Sequence, residues 1–408
     1  MATAKPAPLV FPVWKDASTN QVYYTTSLQI GTPPSSMNAV LDLMGRFTWL
    51  DCTSYKSSSY RPIPCHSSRC GPNDGGPCTS CSNPPTLSCT NGVCSVFVLA
   101  PYVEEMTSSG LGEDVLVLPS TNGIKHTSRS KFRQFRFSCV ESYWTKGIPN
   151  STEGVVGLAT NPSTLFTGLS THLNLPRILA LCLPSSSSES RHGDLYFGGG
   201  PYMRPPIRQD LAKSLLRTQL LINSWSIADV STYGDEYFID VTAVKIDSAP
   251  ITFNSSILVI DKDGHGGTKI ATLTPYTGLQ SAIFKPLVKE FTKKATDRKI
   301  KKAAPVAPFR ACFDAKTVKS GVAGPNVPAI VLVLQGDVQW RIEGANSMVR
   351  VSEDVMCLGF LDVGPEPRTA IEIGGHQLED NLVEFDVGSL KFGFSNSLLL
   401  QNCSCSHV

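Results

Sequence analysis

A mostly β chain with a few short helices, folded as two lobes, is the class this sequence predicts, and three observations lead there. Its 408 residues suffice for two lobes of about 100–200 residues each. Glycine (32) and proline (29) are plentiful while no long helical periodicity appears, the mark of short strands joined by tight turns. A hydrophobic content of 41% against 17% charged residues supplies a sizeable core.

The elements follow in order. Residues 22–50 alternate in strand fashion and break at Gly31-Thr-Pro-Pro-Ser, leading into Ala39-Val-Leu-Asp42-Leu-Met-Gly-Arg-Phe-Thr-Trp49-Leu-Asp-Cys52. Segment 52–95 is rich in Ser, Pro and Cys and poor in apolar residues, so disulfides must order it in place of a core. Strands are expected at 96–100, 114–118 and 132–139, a tight apolar turn at Glu153-Gly-Val-Val-Gly-Leu158, and a short amphipathic helix at 163–176. The first lobe is placed at 1–205 and the second at 206–408. The second half repeats the order. Strands at 216–222 and 237–247 precede Gly266-Gly-Thr-Lys-Ile-Ala271-Thr-Leu-Thr-Pro275; then come a helix at 279–296 with a basic tail and strands at 329–334, 338–342, 348–351 and 355–361. Matching order in the two halves suggests duplication.

Net charge is +2, from 36 basic and 34 acidic residues, so there is no electrostatic case for nucleic acid or an anionic membrane as the partner. No stretch of about 18 apolar residues occurs, and no membrane span is expected. Of thirteen cysteines, seven fall between Cys52 and Cys94. Cys78-Thr-Ser-Cys81 is the single C-x-x-C pair and lacks the second pair a zinc site needs, so no metal is expected. Disulfides, and with them an oxidising secretory route, are the expectation, with one thiol left over near Cys403-Ser-Cys405. The sequons at Asn150, Asn254 and Asn402 agree. The N-terminus lacks an apolar h-region and reads as a mature start.

Four stretches together resemble the pepsin-like aspartic proteases: Leu28-Gln-Ile-Gly-Thr-Pro-Pro, Asp42 followed by Trp49 and Cys52, Glu153-Gly-Val-Val-Gly-Leu, and Ile371-Glu-Ile-Gly-Gly-His with Phe392-Gly-Phe. The resemblance implies a bilobal pepsin-like fold. Its chemistry demands two facing carboxylates that share one proton, each on an Asp-Thr/Ser-Gly loop. Here the first loop is Asp42-Leu43-Met44-Gly45, and the second aligns on Ala271, so the pair is broken and no catalytic residue or cofactor is expected. A flap tyrosine has no clear counterpart; Tyr102 lies nearby without the usual setting. Val259-Ile-Asp261-Lys-Asp263-Gly264 offers a competing acid at Asp261, which would restore a protease; an exposed hairpin is its plainer reading. Asp42 is read as a structural remnant.

The broken second loop, the cysteine run, and the stretches Gly344-Ala-Asn-Ser-Met, Cys357-Leu-Gly-Phe and Gly374-Gly-His-Gln-Leu-Glu-Asp-Asn-Leu narrow the resemblance. They are similar to the plant xylanase inhibitors, xyloglucan-specific endoglucanase inhibitors, extracellular dermal glycoprotein and basic 7S globulins. That resemblance implies secretion to the plant cell wall and inhibition of microbial glycoside hydrolases of the GH11 or GH12 type, without catalysis. It also implies the pairs Cys52–Cys139, Cys182–Cys405 and Cys312–Cys357, leaving Cys65, Cys70, Cys78, Cys81, Cys89 and Cys94 to pair among themselves. Hydrolases of this kind carry two carboxylates beside an open groove, and an inserted cation would gain charge-assisted hydrogen bonds there. The stretches matching the inhibitory loops, about 316–326 and 396–405, hold no arginine: Val322 and Asn402 fall about where the arginines would be. Lys316, Lys319 and His407 are the titratable residues nearby, each also readable as a solvated surface residue. The basic run 293–302 is read as a solvated helix end, with a docking patch for an acidic partner as the second reading. A storage or small-peptide-binding globulin is the second reading, and an active endopeptidase the third.

Overall fold

The computed structural model describes residues 8–19, 21–70, 78–82, 84–100, 105–121, 126–223 and 236–407. Strand dominates, and the chain separates into two compact units. The first comprises Met1–Ala180, Ser187–Tyr202 and Ser224–Glu236; the second comprises Leu181–Ser186, Met203–Asn223 and Tyr237–Val408.

The first unit is organised by four strands: β1 (Ser35–Asp42), β2 (Trp49–Asp51), β3 (His126–Val140) and β4 (Gly154–Gly157). β4 is the middle of this group, parallel to β1 and antiparallel to β2, while β2 runs parallel to β3. Its Gly-Val-Val-Gly sequence suits the position. Val155 and Val156 are buried, and the glycines let backbone approach backbone: a Cβ on Gly157 would lie 2.5 Å from the Gly45 carbonyl oxygen and 2.6 Å from that of Phe47. The helix α1 (Leu165–His172) follows, capped by Thr164, whose hydroxyl accepts from the Thr167 N–H, and it buries Leu165, Phe166 and Leu169.

Two features exceed the sequence expectation. A strand at Leu9–Asp16 adds to those expected: Leu9, Phe11 and Val13 alternate into the core, and it pairs with Gly193–Phe197 and with Tyr23–Ile30. The expected strands at 114–118 and 132–139 are the centre of a far longer ribbon, Glu105–Thr121 against β3. Its extension carries Thr107, Ser108 and Ser109, which pair with Val98, Phe97 and Val96. Hydroxyl residues at these places, Ser108 exposed and Ser109 buried, hide strand character from a hydrophobic pattern.

The second unit repeats the motif with β5 (Thr268–Ile270), β6 (Thr277–Leu279), β7 (Phe360–Asp362) and β8 (Ile371–Ile373). Here β8 is parallel to β5 and antiparallel to β6, and β6 is parallel to β7. The helix α2 (Ser281–Asp297) buries Ile283, Phe284, Leu287, Phe291 and Ala295, an apolar stripe at helical spacing. Trp340, fully buried, packs against Phe392 and Phe394 with ring centroids at 5.6 and 5.1 Å.

Six disulfides cross-link the chain: Cys52–Cys139, Cys65–Cys78, Cys70–Cys94, Cys81–Cys89, Cys182–Cys405 and Cys312–Cys357. Cys403 keeps a free, buried thiol. Segment 52–95 has a second anchor besides its disulfides. Buried Asp114 accepts from the Tyr55 hydroxyl at 2.7 Å and from the Ser59 hydroxyl at 2.6 Å, tying the start of that segment to the long ribbon.

Candidate functional site

The two halves can be laid over each other residue by residue. In the first unit Asp42 is the last partner of β1 in the parallel ladder and stands opposite Gly157. In the second unit the ladder runs Thr268–Ile371, Lys269–Glu372, Ile270–Ile373, and the Ala271 N–H continues it by donating to the Ile373 carbonyl at 2.9 Å. Ala271 therefore stands opposite Gly374 as Asp42 does opposite Gly157. The antiparallel pairs repeat as well: Trp49 with Val155 and Leu50 with Gly154 in one unit, Gly278 with Glu372 and Leu279 with Ile371 in the other. A Cβ on Gly374 would lie 2.8 Å from the Thr274 carbonyl oxygen, the counterpart of the Gly45 contact of Gly157.

Around Asp42 the loop is tight. The Met44 N–H donates to Asp42 Oδ1 at 2.8 Å, an Asx-type turn, and the Leu158 N–H donates to the Asp42 carbonyl at 2.8 Å. Leu43 is fully buried and Met44 nearly so, so the loop is filled by core side chains where the proteases carry a hydroxyl and a glycine. Across the ladder, Glu153 Oε2 accepts from the Asn38 N–H at 2.6 Å; burial pushes its carboxyl above the ordinary range, partly offset by that hydrogen bond. Ala271 has no accessible surface.

The second loop carries polar residues that its counterpart lacks. Lys269 is buried, its Nζ 3.1 Å from Glu372 Oε2, and the Thr274 hydroxyl donates to Oε1 of the same carboxylate. At the equivalent places the first unit has Val40 and Val155. Spacing could have shown this pairing, since Lys269 and Glu372 fall at fixed offsets before Ala271 and Gly374; nothing in the bare sequence shows that the strands carrying them are neighbours.

Asp261 belongs to a different arrangement. Its Oδ1 accepts from the Asp263 and His265 N–H groups at 2.8 and 2.9 Å, its side chain is 53% exposed, and the His265 hydrogen bond draws its carboxyl below the usual range. It is the acid of a surface turn. Tyr102 lies outside the described residues.

The stretches matched to inhibitory loops take definite shapes. Ser320–Gly321 pairs with Gly324–Pro325 in a two-residue hairpin whose tip, Val322, is 67% exposed. Ala323 anchors it: its carbonyl accepts from the Ala345 N–H at 2.9 Å. Lys319 is exposed beside the hairpin, and Lys316 Nζ reaches Asp354 Oδ1 at 2.8 Å in an exposed ion pair that raises its ammonium group above its ordinary value. Asn402 is exposed in the left-handed conformation (φ 52°) at the end of the turn Leu398–Gln401. His407 is half-buried: its Nδ1 lies against the Arg204 guanidinium and 3.2 Å from the Cys405 carbonyl oxygen. Asn150 and Asn254 are both exposed. Cys65, His66 and Cys78 converge, but the two sulfurs are bonded to each other, which leaves no thiolate for a metal.

Two family descriptions match, "Xylanase inhibitor N-terminal" over residues 24–199 and "Xylanase inhibitor C-terminal" over 236–396. A Nicotiana benthamiana protein named "Probable aspartic proteinase GIP2" is 39% identical over 99% of this chain and 92% of its own length. The chain belongs to the xylanase-inhibitor family. Gamma conglutin 1 of Prunus dulcis is 37% identical over 99% of the chain and 90% of that protein. Among solved structures, edgp superposes with a TM-score of 0.92 at 40% identity, covering 99% of this chain and 98% of that one. The basic 7S globulin of soybean does so at 0.83 and 29%, covering 98% and 97%. An aspartic proteinase from Irpex lacteus, at 15% identity and a TM-score of 0.59 over 96% and 98%, shares the fold. The family is thus aspartic-protease-like with a pepsin-type fold, and its members here include basic 7S globulins, one of them from lupine seeds. No helix among the described residues is long and apolar enough to cross a membrane.

Proposed function

We propose that this chain is a catalytically silent aspartic-protease relative, secreted to the plant cell wall, that binds and inhibits a microbial glycoside hydrolase of the GH11 or GH12 type. The silence rests on one observation: Ala271 occupies, in ladder register and in spacing to the next strand, the place that Asp42 occupies in the first unit. A methyl group cannot share a proton with Asp42 or polarise a peptide carbonyl. The family match supports the hydrolase as partner, and the six disulfides support an oxidising route, with Asn150, Asn254 and Asn402 exposed for glycans.

The contact surface of this reading is the hairpin at Val322 with the exposed ammonium groups Lys316 and Lys319 and the turn at Asn402. A lysine placed between two groove carboxylates gains charge-assisted hydrogen bonds, and an apolar tip adds buried area. His407, against Arg204, plays a supporting part in the C-terminal stretch. The test is an inhibition panel against purified xylanases and xyloglucanases, with Lys316→Ala, Lys319→Ala, Val322→Asp and His407→Ala. Inhibition of one enzyme, weakened about tenfold or more by a hairpin substitution, is expected. Pepstatin-sensitive cleavage of denatured protein at acid pH would sink the silent reading. The whole-length likeness to soybean basic 7S globulin favours a second reading, a storage or peptide-binding globulin, which an entirely inactive panel together with a co-purifying peptide would promote.

A further inference from the structure

The basic residues of α2 do not stop at the helix end. Lys285, Lys289 and Lys293 recur every fourth residue along one exposed flank, and with Lys302 and Arg310 of the adjoining hairpin they line an open groove of about 600 Å³. Among the described residues none of these five cations has an ion-pair partner, whereas neighbouring Lys294 is paired with Glu290 at 3.9 Å. The one carboxylate at the groove, Asp362, is engaged by the Ser281 hydroxyl at 2.5 Å and the Gly364 N–H at 3.1 Å. Half-buried Val288 and buried Phe284 form an apolar floor.

Stability does not account for this pattern. Cations near a helix C-terminus are favoured by its dipole, which suits Lys293, but Lys285 sits in the N-terminal third, where the dipole opposes it. Like charges four residues apart repel by a few tenths of a kcal/mol per pair. A chain of net charge +2 has nonetheless gathered five cations against one acid in one groove. Field focusing in such a cleft raises the local concentration of an anion.

We propose that this groove binds a linear carboxylated polysaccharide. The helix rise sets the three lysines about 6 Å apart in a row, which suits an anionic chain rather than a single compact anion. Four of the five cations are ammonium groups, flexible point charges that can each follow one charge along a chain, and the single guanidinium, Arg310, makes no forked array around one compact oxyanion. The apolar floor offers the C–H faces of sugar rings a surface. A disulfide-linked chain of the oxidising route meets acidic polysaccharides, not nucleic acid. From the functional reading above the proposal takes that compartment alone; it requires no hydrolase.

The experiment is direct binding of the full chain to polygalacturonate, by calorimetry or affinity electrophoresis, with no hydrolase present. Fully methyl-esterified polygalacturonate, dextran and dextran sulfate serve as comparators. Wild type is expected to bind polygalacturonate, to lose affinity as salt rises, and to ignore the ester and dextran. The triple variant Lys285→Gln, Lys289→Gln, Lys293→Gln should lose about tenfold or more. The corresponding triple arginine variant should retain binding, and Lys213→Gln, Lys262→Gln, Lys391→Gln, which removes the same charge elsewhere, should change it less than about twofold. Equal losses in the two glutamine triples would reduce the effect to net charge and overturn the proposal. So would binding of the ester as tight as that of the acid, tighter binding of dextran sulfate than of polygalacturonate, or no binding by wild type. A failed inhibition panel with intact polygalacturonate binding would leave this site standing, and the reverse result would remove it alone.

Discussion

Lys269 lies directly opposite Glu372 on two parallel strands, its Nζ 3.1 Å from Oε2, two residues ahead of Ala271 and of Gly374 respectively. The matching pair in the first unit is Val40 with Val155, both buried. The second unit thus carries a partly buried ion pair, with the Thr274 hydroxyl donating to it, where its twin carries two methyl-bearing side chains.

Removing one member of such a pair strands the other, whereas removing both restores an apolar ladder. Lys269→Met is expected to destabilise the protein by about 2 kcal/mol, discounted from the fully buried case because the Glu372 side chain is 24% exposed. The double variant Lys269→Val, Glu372→Val should cost less than either single change. Denaturant midpoints of Lys269→Val, Glu372→Val and the double variant check this. A double variant that costs more than either single would contradict it.

Gly157 and Gly374 hold the two crossing loops by close backbone contact. Alanine at either would bring Cβ within 2.6 Å of backbone atoms, so each substitution should destabilise by about 2–3 kcal/mol or prevent folding. Gly168, inside α1, is the contrast: its added Cβ would meet only Phe132, at 3.5 Å, and Gly168→Ala should be neutral or stabilising by up to about 1 kcal/mol. Thermal melts of the three variants distinguish the cases.

Burial, and after it the charge of Asp114, pushes the Tyr60 hydroxyl up to about 12. An acid whose folded value is raised keeps its proton in the folded state while the unfolded chain gives it up. Its contribution is therefore complete below pH about 10 and lost as pH climbs through about 12. Stability followed across that alkaline window should fall, and Tyr60→Phe should make the fall shallower. Tyr55, raised in the same direction by burial and by its hydrogen bond to Asp114, supplies part of what remains.

Cys403 is 4% exposed and burial raises its thiol above the ordinary value. Iodoacetamide should leave the native protein unlabelled and attach once after denaturation without reductant. Labelling of two or more thiols would contradict the six disulfides. Cys182→Ser with Cys405→Ser opens a loop of 223 residues and should destabilise by about 2–5 kcal/mol, while Cys403→Ser should cost far less.

Much of this was legible in the residues. Gly31-Thr-Pro-Pro, the apolar run into Asp42, the Gly-Val-Val-Gly strand and the apolar stripe of α2 each state a local conformation, because turn chemistry and hydrophobic period act over a few residues. The long ribbon Glu105–Thr121 was only half visible: Thr107, Ser108 and Ser109 are strand by virtue of their partner. The strand Leu9–Asp16 alternates plainly, but Pro12 inside it reads as a strand breaker in the sequence alone. The basic run after residue 293 was visible as composition, but its continuation to Lys285 becomes a groove only when Lys302 and Arg310 arrive beside it.

By itself the sequence determined the class: a turn-rich, strand-dominated, cysteine-linked chain of two similar halves, with an acid at Asp42 and none at Ala271. Patterning and turn residues carry that information locally. Tertiary structure alone decided what meets what: that Ala271 stands to Gly374 as Asp42 does to Gly157, that Lys269 finds Glu372, and that His407 rests on Arg204. Such pairings join residues more than a hundred positions apart. They form because the whole chain must bury its apolar surface and satisfy its backbone at once, a condition that no short window of residues expresses.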